Sequence, residues 1–152
     1  MKKRILFVCA GNTCRSPMAE ILFLHMLKQA GLAERFEVSS AGLHAFPGDG
    51  GAPCAREAMA ERSLDLSAHR SRLLSRELFA EEDWLVTMTQ AQKQSVRQLH
   101  RTHNRVISLG EYADGDISDP YGENLAAYRL CAAKIERALE GFLTMIREEE
   151  AE

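Results

Sequence analysis

Apolar residues change their spacing several times along this chain, and each change marks an element. Residues 4–8 (Arg-Ile-Leu-Phe-Val) form a short, nearly continuous apolar run, the pattern of a strand buried on both faces. After a polar loop, Met18, Ile21, Leu22 and then His25 or Met26 recur at helical spacing. Ser16 is the predicted N-cap of that helix, Pro17 its first helical residue and Gly31 its stop. Residues 36–40 read as a second strand. Residues 42–53 hold four glycines and two prolines and read as a loop, and 53–62 as a helix opening on Pro53. Residues 84–88 read as a third buried strand, 90–99 as a helix and 106–109 as a short fourth strand. Tyr128, Ala132, Ile135, Leu139, Phe142 and Ile146, spaced four and three in turn, predict a last helix with one apolar stripe.

Strands alternating with helices argue an α/β fold, a parallel sheet joined by right-handed crossovers. The expectation is one domain over residues 1–152, built on a parallel sheet packed against helices. In such sheets ligands sit beyond the carboxyl ends of the strands, where the polar loop after residue 8 lies. Composition adds exclusions. Apolar residues make up 45% and charged residues 27%, ordinary for a chain with a hydrophobic core. A net charge of −3 argues against nucleic acid or anionic membrane as partners. No apolar run near the N-terminus is long enough for a bilayer span or a signal segment. Four cysteines without framework spacing fit a reducing, cytoplasmic compartment. The acidic stretch 148–152 reads as a frayed, solvated end.

Most of the chemistry lies in the loop Cys9-Ala10-Gly11-Asn12-Thr13-Cys14-Arg15-Ser16, where a thiol stands six residues before a guanidinium. Spacing alone proves little, because Cys131 and Arg137 repeat it within the last helix. That copy has no glycine and no preceding strand, so Cys131 reads as a structural cysteine. In the first copy, Gly11 and Asn12 are residue types that tolerate positive φ, so residues 10–16 can turn their amides inward as an anion nest. The helix start adds unpaired N–H groups and a positive dipole end. Arg15 can grip two phosphate oxygens. The same features favour the nucleophilic thiolate of Cys9, to which Ser16 can donate a hydrogen bond. A thiolate attacking phosphorus also needs an acid for the leaving atom. Asp119 suits that role, because Pro120 stiffens the chain and biases Asp119 away from helix. Asp114 and Asp116 read as loop solvation.

The segment 9–20 resembles the signature of the low-molecular-weight protein phosphatases. So do Ser39-Ser40-Ala41-Gly42, Leu66-Ser67-Ala68-His69-Arg70-Ser71-Arg72 and Ser118-Asp119-Pro120-Tyr121-Gly122, in order along nearly the whole chain. The resemblance implies Cys9 as nucleophile, Arg15 as phosphate clamp and Asp119 as general acid. It also implies a three-layer α/β sandwich with a four-stranded parallel sheet flanked by helices, that Asn12 shapes the loop, and that His69 buttresses Asn12. The expected mechanism runs through a phosphocysteine, with no metal or cofactor, phosphorylated proteins as substrates and inorganic phosphate as product. A monomer is expected.

Three residues bear on which phosphate is removed. Thr13 stands where the tyrosine-directed branch usually has a bulky aliphatic residue, and Asn-Thr-Cys-Arg-Ser resembles the arginine-directed branch. A hydroxyl there offers a guanidinium a polar contact, whereas an isoleucine would pack an aromatic ring. Tyr121 is followed by Gly122 rather than by a second aromatic. Phe46 is either an aromatic wall of the site, which suits phosphotyrosine, or a loop anchor packed on the core. Phosphoarginine is the reading carried forward, with phosphotyrosine as the alternative. The related arsenate reductases need two further cysteines near the third strand, and residues 79–91 have none. A non-catalytic phosphate-binding module would not need both Cys9 and Asp119. Cys14 can resolve an oxidised Cys9 as a disulfide, or be simply packed. His100 and His103 read as a polar helix end rather than a metal pair, His25 as a helix-face residue and Cys54 as a core residue. His44 has no clear partner.

Overall fold

The computed structural model describes residues 2–99 and 105–150. Strand β1 (Lys3–Cys9) enters helix α1 (Arg15–Gln29), and β2 (Phe36–Gly42) precedes α2 (Pro53–Ala60). Then come α3 (Arg76–Ala80), β3 (Trp84–Thr87), α4 (Gln90–Leu99), β4 (Val106–Ser108) and α5 (Leu125–Glu150). All three strand pairings are parallel, in the order β2-β1-β3-β4. The parallel sheet expected from the alternation is present, with the four strands that the resemblance implied. The chain reverses direction of crossover at β1, so the end of β1 opens into a crevice.

Side chains of β1 alternate between two cores. Ile5, Phe7 and Cys9 face α1, α2 and α5, while Leu6 and Val8 face Phe79 of α3 and Val96 of α4. That is the three-layer arrangement. The α5 stripe from Tyr128 to Ile146 is buried throughout, and Phe142 packs its ring against Phe7, Phe23, Trp84 and Tyr112. Gly31, at φ +73°, ends α1 in a Schellman motif: Leu32 N–H donates to Leu27 O at 2.8 Å.

Several expectations need correction. α1 begins at Arg15, with Cys14 at the N-cap position, so Ser16 is not the cap. On α1 the buried face is Met18, Leu22, Phe23 and Leu27; His25 is exposed. The short α3 and the 3-10 turns at residues 33–35 and 109–112 have too few residues to show a period. The acidic end is not frayed through its length: α5 continues to Glu150, and Glu149 pairs with Arg105 at 2.6 Å. Asp116 is not mere loop solvation, since its carboxylate accepts the Gln90 N–H at 3.0 Å. Asp114 is exposed, within 3.7 Å of Lys134. Cys54 is half-buried at the edge of the core. His100 and His103 lie outside the described residues.

Candidate active site

Five residues separate the end of β1 from the start of α1, and one of them sets the shape of the loop. Asn12 is fully buried at φ +57°. Gly11 is not in the left-handed region, so the turn rests on Asn12 alone. An asparagine tolerates this conformation because its amide can bond locally. Here every polar group of Asn12 is used. Its N–H points at Cys9 Sγ (3.3 Å), and its side-chain amide donates to Ser16 Oγ (2.8 Å) and Ser40 Oγ (3.0 Å). Its Oδ1 accepts the Arg72 N–H (2.9 Å), and its carbonyl accepts from Ser71 Oγ (2.8 Å) and faces His69 Nε2 (2.7 Å). His69 therefore stands where the resemblance implied.

Ser16, freed from capping, lies 2.9 Å from Cys9 Sγ. Its oxygen already accepts the Asn12 amide, so its proton is available to the sulfur. Ser40 in turn donates to Glu20 at 2.5 Å. The end of β2 presses on the same loop: a Cβ on Gly42 would stand 2.5 Å from Ala10 O and 3.1 Å from Asn12 Cβ. Only glycine admits that approach.

Arg15 is almost fully buried. One terminal nitrogen donates to Ile117 O at 2.8 Å, and the other lies 3.5 Å from Asp119 Oδ2. Its Nε–H is buried without a partner among the described residues. Buried donors are rarely left so, and an anion at the loop would satisfy this one. Asp119 is half-exposed and also accepts the Tyr121 N–H at 3.1 Å. Its segment is pinned behind: Ile117 N–H donates to Met88 O, Lys134 Nζ to Asp116 O, and the Cys131 thiol to Ser118 O. Burial pushes the Cys131 thiol up to about 12, which fits the structural role read from sequence.

A cavity of about 270 Å³ opens over Cys9, and three segments line it. The floor is Cys9, Gly11, Thr13, Cys14 and Arg15; one wall is His44, Phe46 and Asp49; another is Asp119 and Tyr121. Phe46 is 77% exposed, so it is a wall of the site and not an anchor in the core. Tyr121 is similarly exposed. Asp49 and His44 were not foreseen as lining residues: glycines surround Asp49, and a loop offers no period to locate it. Ser40, Ser71 and Arg72 lie in segments that carried the resemblance, so a signal for them existed. Cys14 is buried, and burial raises its thiol, opposed by hydrogen bonds with Tyr128 (3.2 Å) and Thr13 (3.6 Å). All four cysteines are free. Among the described residues no cluster of His, Cys, Asp and Glu is arranged to hold a metal ion, and no helix is long and apolar enough to cross a membrane.

A buried thiol, a staked anion loop, an unsatisfied guanidinium donor and a carboxylate facing it can accept a phosphoryl group and protonate what leaves it. Comparison with known proteins agrees. A probable low molecular weight protein-tyrosine-phosphatase EpsP of Ralstonia nicotianae is 37% identical over 97% of this chain and 98% of its own. The protein-arginine-phosphatase of Bacillus subtilis is 36% identical over 95% of this chain and 97% of its own. A solved structure of YwlE arginine phosphatase, a mutant with a phosphorylated active-site serine, superposes with a TM-score of 0.88 at 36% identity, covering 95% of both chains. The sequence pattern of the family described as low molecular weight phosphotyrosine protein phosphatase matches residues 4–152. The chain belongs to that family and is a low molecular weight, cysteine-based protein phosphatase.

Proposed function

We propose that this phosphatase hydrolyses phosphoarginine in proteins. The observation that carries the reading is Thr13: its residue lines the cavity floor beside Cys9, with Asp119 in the facing wall. Relatives named for tyrosine and for arginine match at nearly the same identity, so pocket chemistry makes the choice. A threonine hydroxyl offers a guanidinium N–H an acceptor that an aliphatic side chain lacks.

The chemistry takes two in-line steps. The Cys9 thiolate attacks phosphorus as the bond from phosphorus to the guanidino nitrogen breaks, and Asp119 gives its proton to that nitrogen. Asp119, now ionised, takes a proton from water, whose oxygen attacks phosphorus; the P–S bond breaks, releasing inorganic phosphate and the thiolate. Backbone N–H groups of residues 10–16 and Arg15 hold the three equatorial oxygens. Asn12, Ser16 and His69 position the loop and the sulfur. The four free thiols fit a reducing cytoplasm, where the enzyme acts as a monomer on phosphorylated proteins. The phosphotyrosine reading is favoured by one observation, the exposed ring of Phe46 at the mouth. The experiment compares phosphoarginine and phosphotyrosine peptides with wild type and Thr13→Ile. Wild type should prefer phosphoarginine and Thr13→Ile should shift the preference toward phosphotyrosine. A wild-type preference for phosphotyrosine that Thr13→Ile leaves unchanged refutes the reading.

A further inference from the structure

A carboxylate beside a phosphate cradle is chemically out of place. It repels the dianion that the cradle exists to hold. Asp119 has its reason, as the proton donor to the leaving atom. Asp49 lines the same cavity and has no such reason.

Its surroundings are built with care. Residues 46–49 form a tight turn, with Pro47 and then Gly48 at φ +93° at the centre and the Asp49 N–H donating to Phe46 O. That is the pattern of a type II turn. The turn is fastened to Ser71 from both sides: Ser71 N–H donates to Asp49 O at 2.7 Å, and Gly48 N–H donates to Ser71 O at 2.9 Å. Ser71 also donates from Oγ to Asn12 O, so this wall and the cradle share one anchor. Asp49 thus has a fixed backbone. Its carboxylate makes no hydrogen bond or ion pair among the described residues, whereas Asp119 leans on Arg15 and the Tyr121 N–H.

A free carboxylate on a fixed wall favours substrates with a cation close to phosphorus. Phe46 opens the same turn; its exposed ring can face an aryl group or stack on a guanidinium, so it is Asp49 that separates the two substrates. We propose that Asp49 is a specificity residue whose carboxylate accepts hydrogen bonds from the guanidino N–H groups that do not carry phosphorus, with Phe46 as the stacking surface. The proposal rests on the phosphoarginine reading above. A phosphotyrosine ring has no donor for Asp49, so the same residue works against it.

The test measures wild type, Asp49→Asn and Asp49→Glu on a phosphoarginine peptide, a phosphotyrosine peptide and a small aryl phosphate. A charge-assisted hydrogen bond lost from a partly wet wall corresponds to about a tenfold fall in kcat/KM. Asp49→Asn should lose roughly that factor on phosphoarginine. The loss should fall mainly on KM, because Asp49 binds N–H groups that the substrate presents in the ground state as well as in the transition state. Aryl phosphate and phosphotyrosine should be hydrolysed as fast or faster, and Asp49→Glu should recover part of the phosphoarginine activity. An equal loss on all three substrates means a structural role and overturns the proposal. So does an unchanged phosphoarginine rate, and in that case a wild-type preference for phosphoarginine still stands. Wild type inactive on phosphoarginine overturns both readings together.

Discussion

Asn12→Ala is the substitution that tests most directly how the cradle is held. It removes three side-chain hydrogen bonds, to Ser16, Ser40 and the Arg72 N–H. At about 1 kcal/mol net each, these amount to roughly 3 kcal/mol. Alanine in the left-handed region adds about 1 kcal/mol, since it lacks the local bonding that makes asparagine tolerable there. The expected destabilisation is about 4 kcal/mol, a large part of a typical domain's stability. For a chain of this length that lowers the melting temperature by about 8–16 °C. Asn12→Gly loses the same bonds but escapes the backbone strain, so it should unfold about 1 kcal/mol later than Asn12→Ala. Thermal unfolding followed by the fluorescence of Trp84 reads both. If Asn12→Ala melts within about 3 °C of wild type, the cradle is not staked through Asn12. If Asn12→Gly is the less stable of the pair, the backbone part of the account is wrong.

Cys9→Ser should abolish turnover, and Asp119→Ala should slow substrates with poor leaving groups far more than activated aryl phosphates; equal slowing of both in a rapid-quench assay would remove Asp119 from leaving-group protonation. Mass-spectrometric mapping after iodoacetate at pH 8 should find Cys9 modified first, with inorganic phosphate protecting it. Cys131 should stay unlabelled, its thiol pushed up to about 12 by burial; early labelling of Cys131 would contradict that. Peroxide should inactivate the enzyme, oxidising Cys9 to a sulfenic acid that the Cys14 thiol converts to a disulfide with loss of water, and thiols should restore activity. Inactivation that thiols cannot reverse would count against the Cys14 role. Burial raises the carboxyl of Glu82, and Arg4 at 3.5 Å only partly opposes this. A carboxyl raised on folding costs stability while ionised in the folded protein, and that cost fades as pH falls through its folded value toward its unfolded one. Glu82→Gln should therefore be more stable than wild type at pH 7, with the gap closing in acid; a gap that widens in acid would reverse the sign.

How much was legible follows from the range over which each interaction acts. β1, β3, α1 and α5 announce themselves because burial forces a period or an unbroken run on neighbouring residues. Cys9, Arg15 and the helix start are likewise local, so the anion site could be read within ten residues. Ser16 was misplaced by one criterion: a Ser before a Pro is a good cap, but here its hydroxyl is taken by Cys9 and Asn12. Gly11 was credited with a turn that Asn12 makes, because Asn12 alone has the partners that stabilise positive φ. Apart from Cys9 and Ser16, those partners lie 28 to 60 residues away in sequence. Asp49 was beyond reach in a different way, and Phe46 could be read only as either a wall or a core anchor. Their place in the wall depends on a turn fastened to Ser71, and nothing in the spacing of a Gly-rich segment encodes a fastening point on another loop.

The seating of Arg15 also orders events during synthesis. Cys9 leaves the ribosome more than a hundred residues before Ile117 and Asp119. At ordinary translation speeds that gap is about 5–20 s. During it the thiol exists, but the carbonyl that seats Arg15 and the acid that faces it do not. A product truncated before Ile117 would lack both of these contacts to the Arg15 guanidinium.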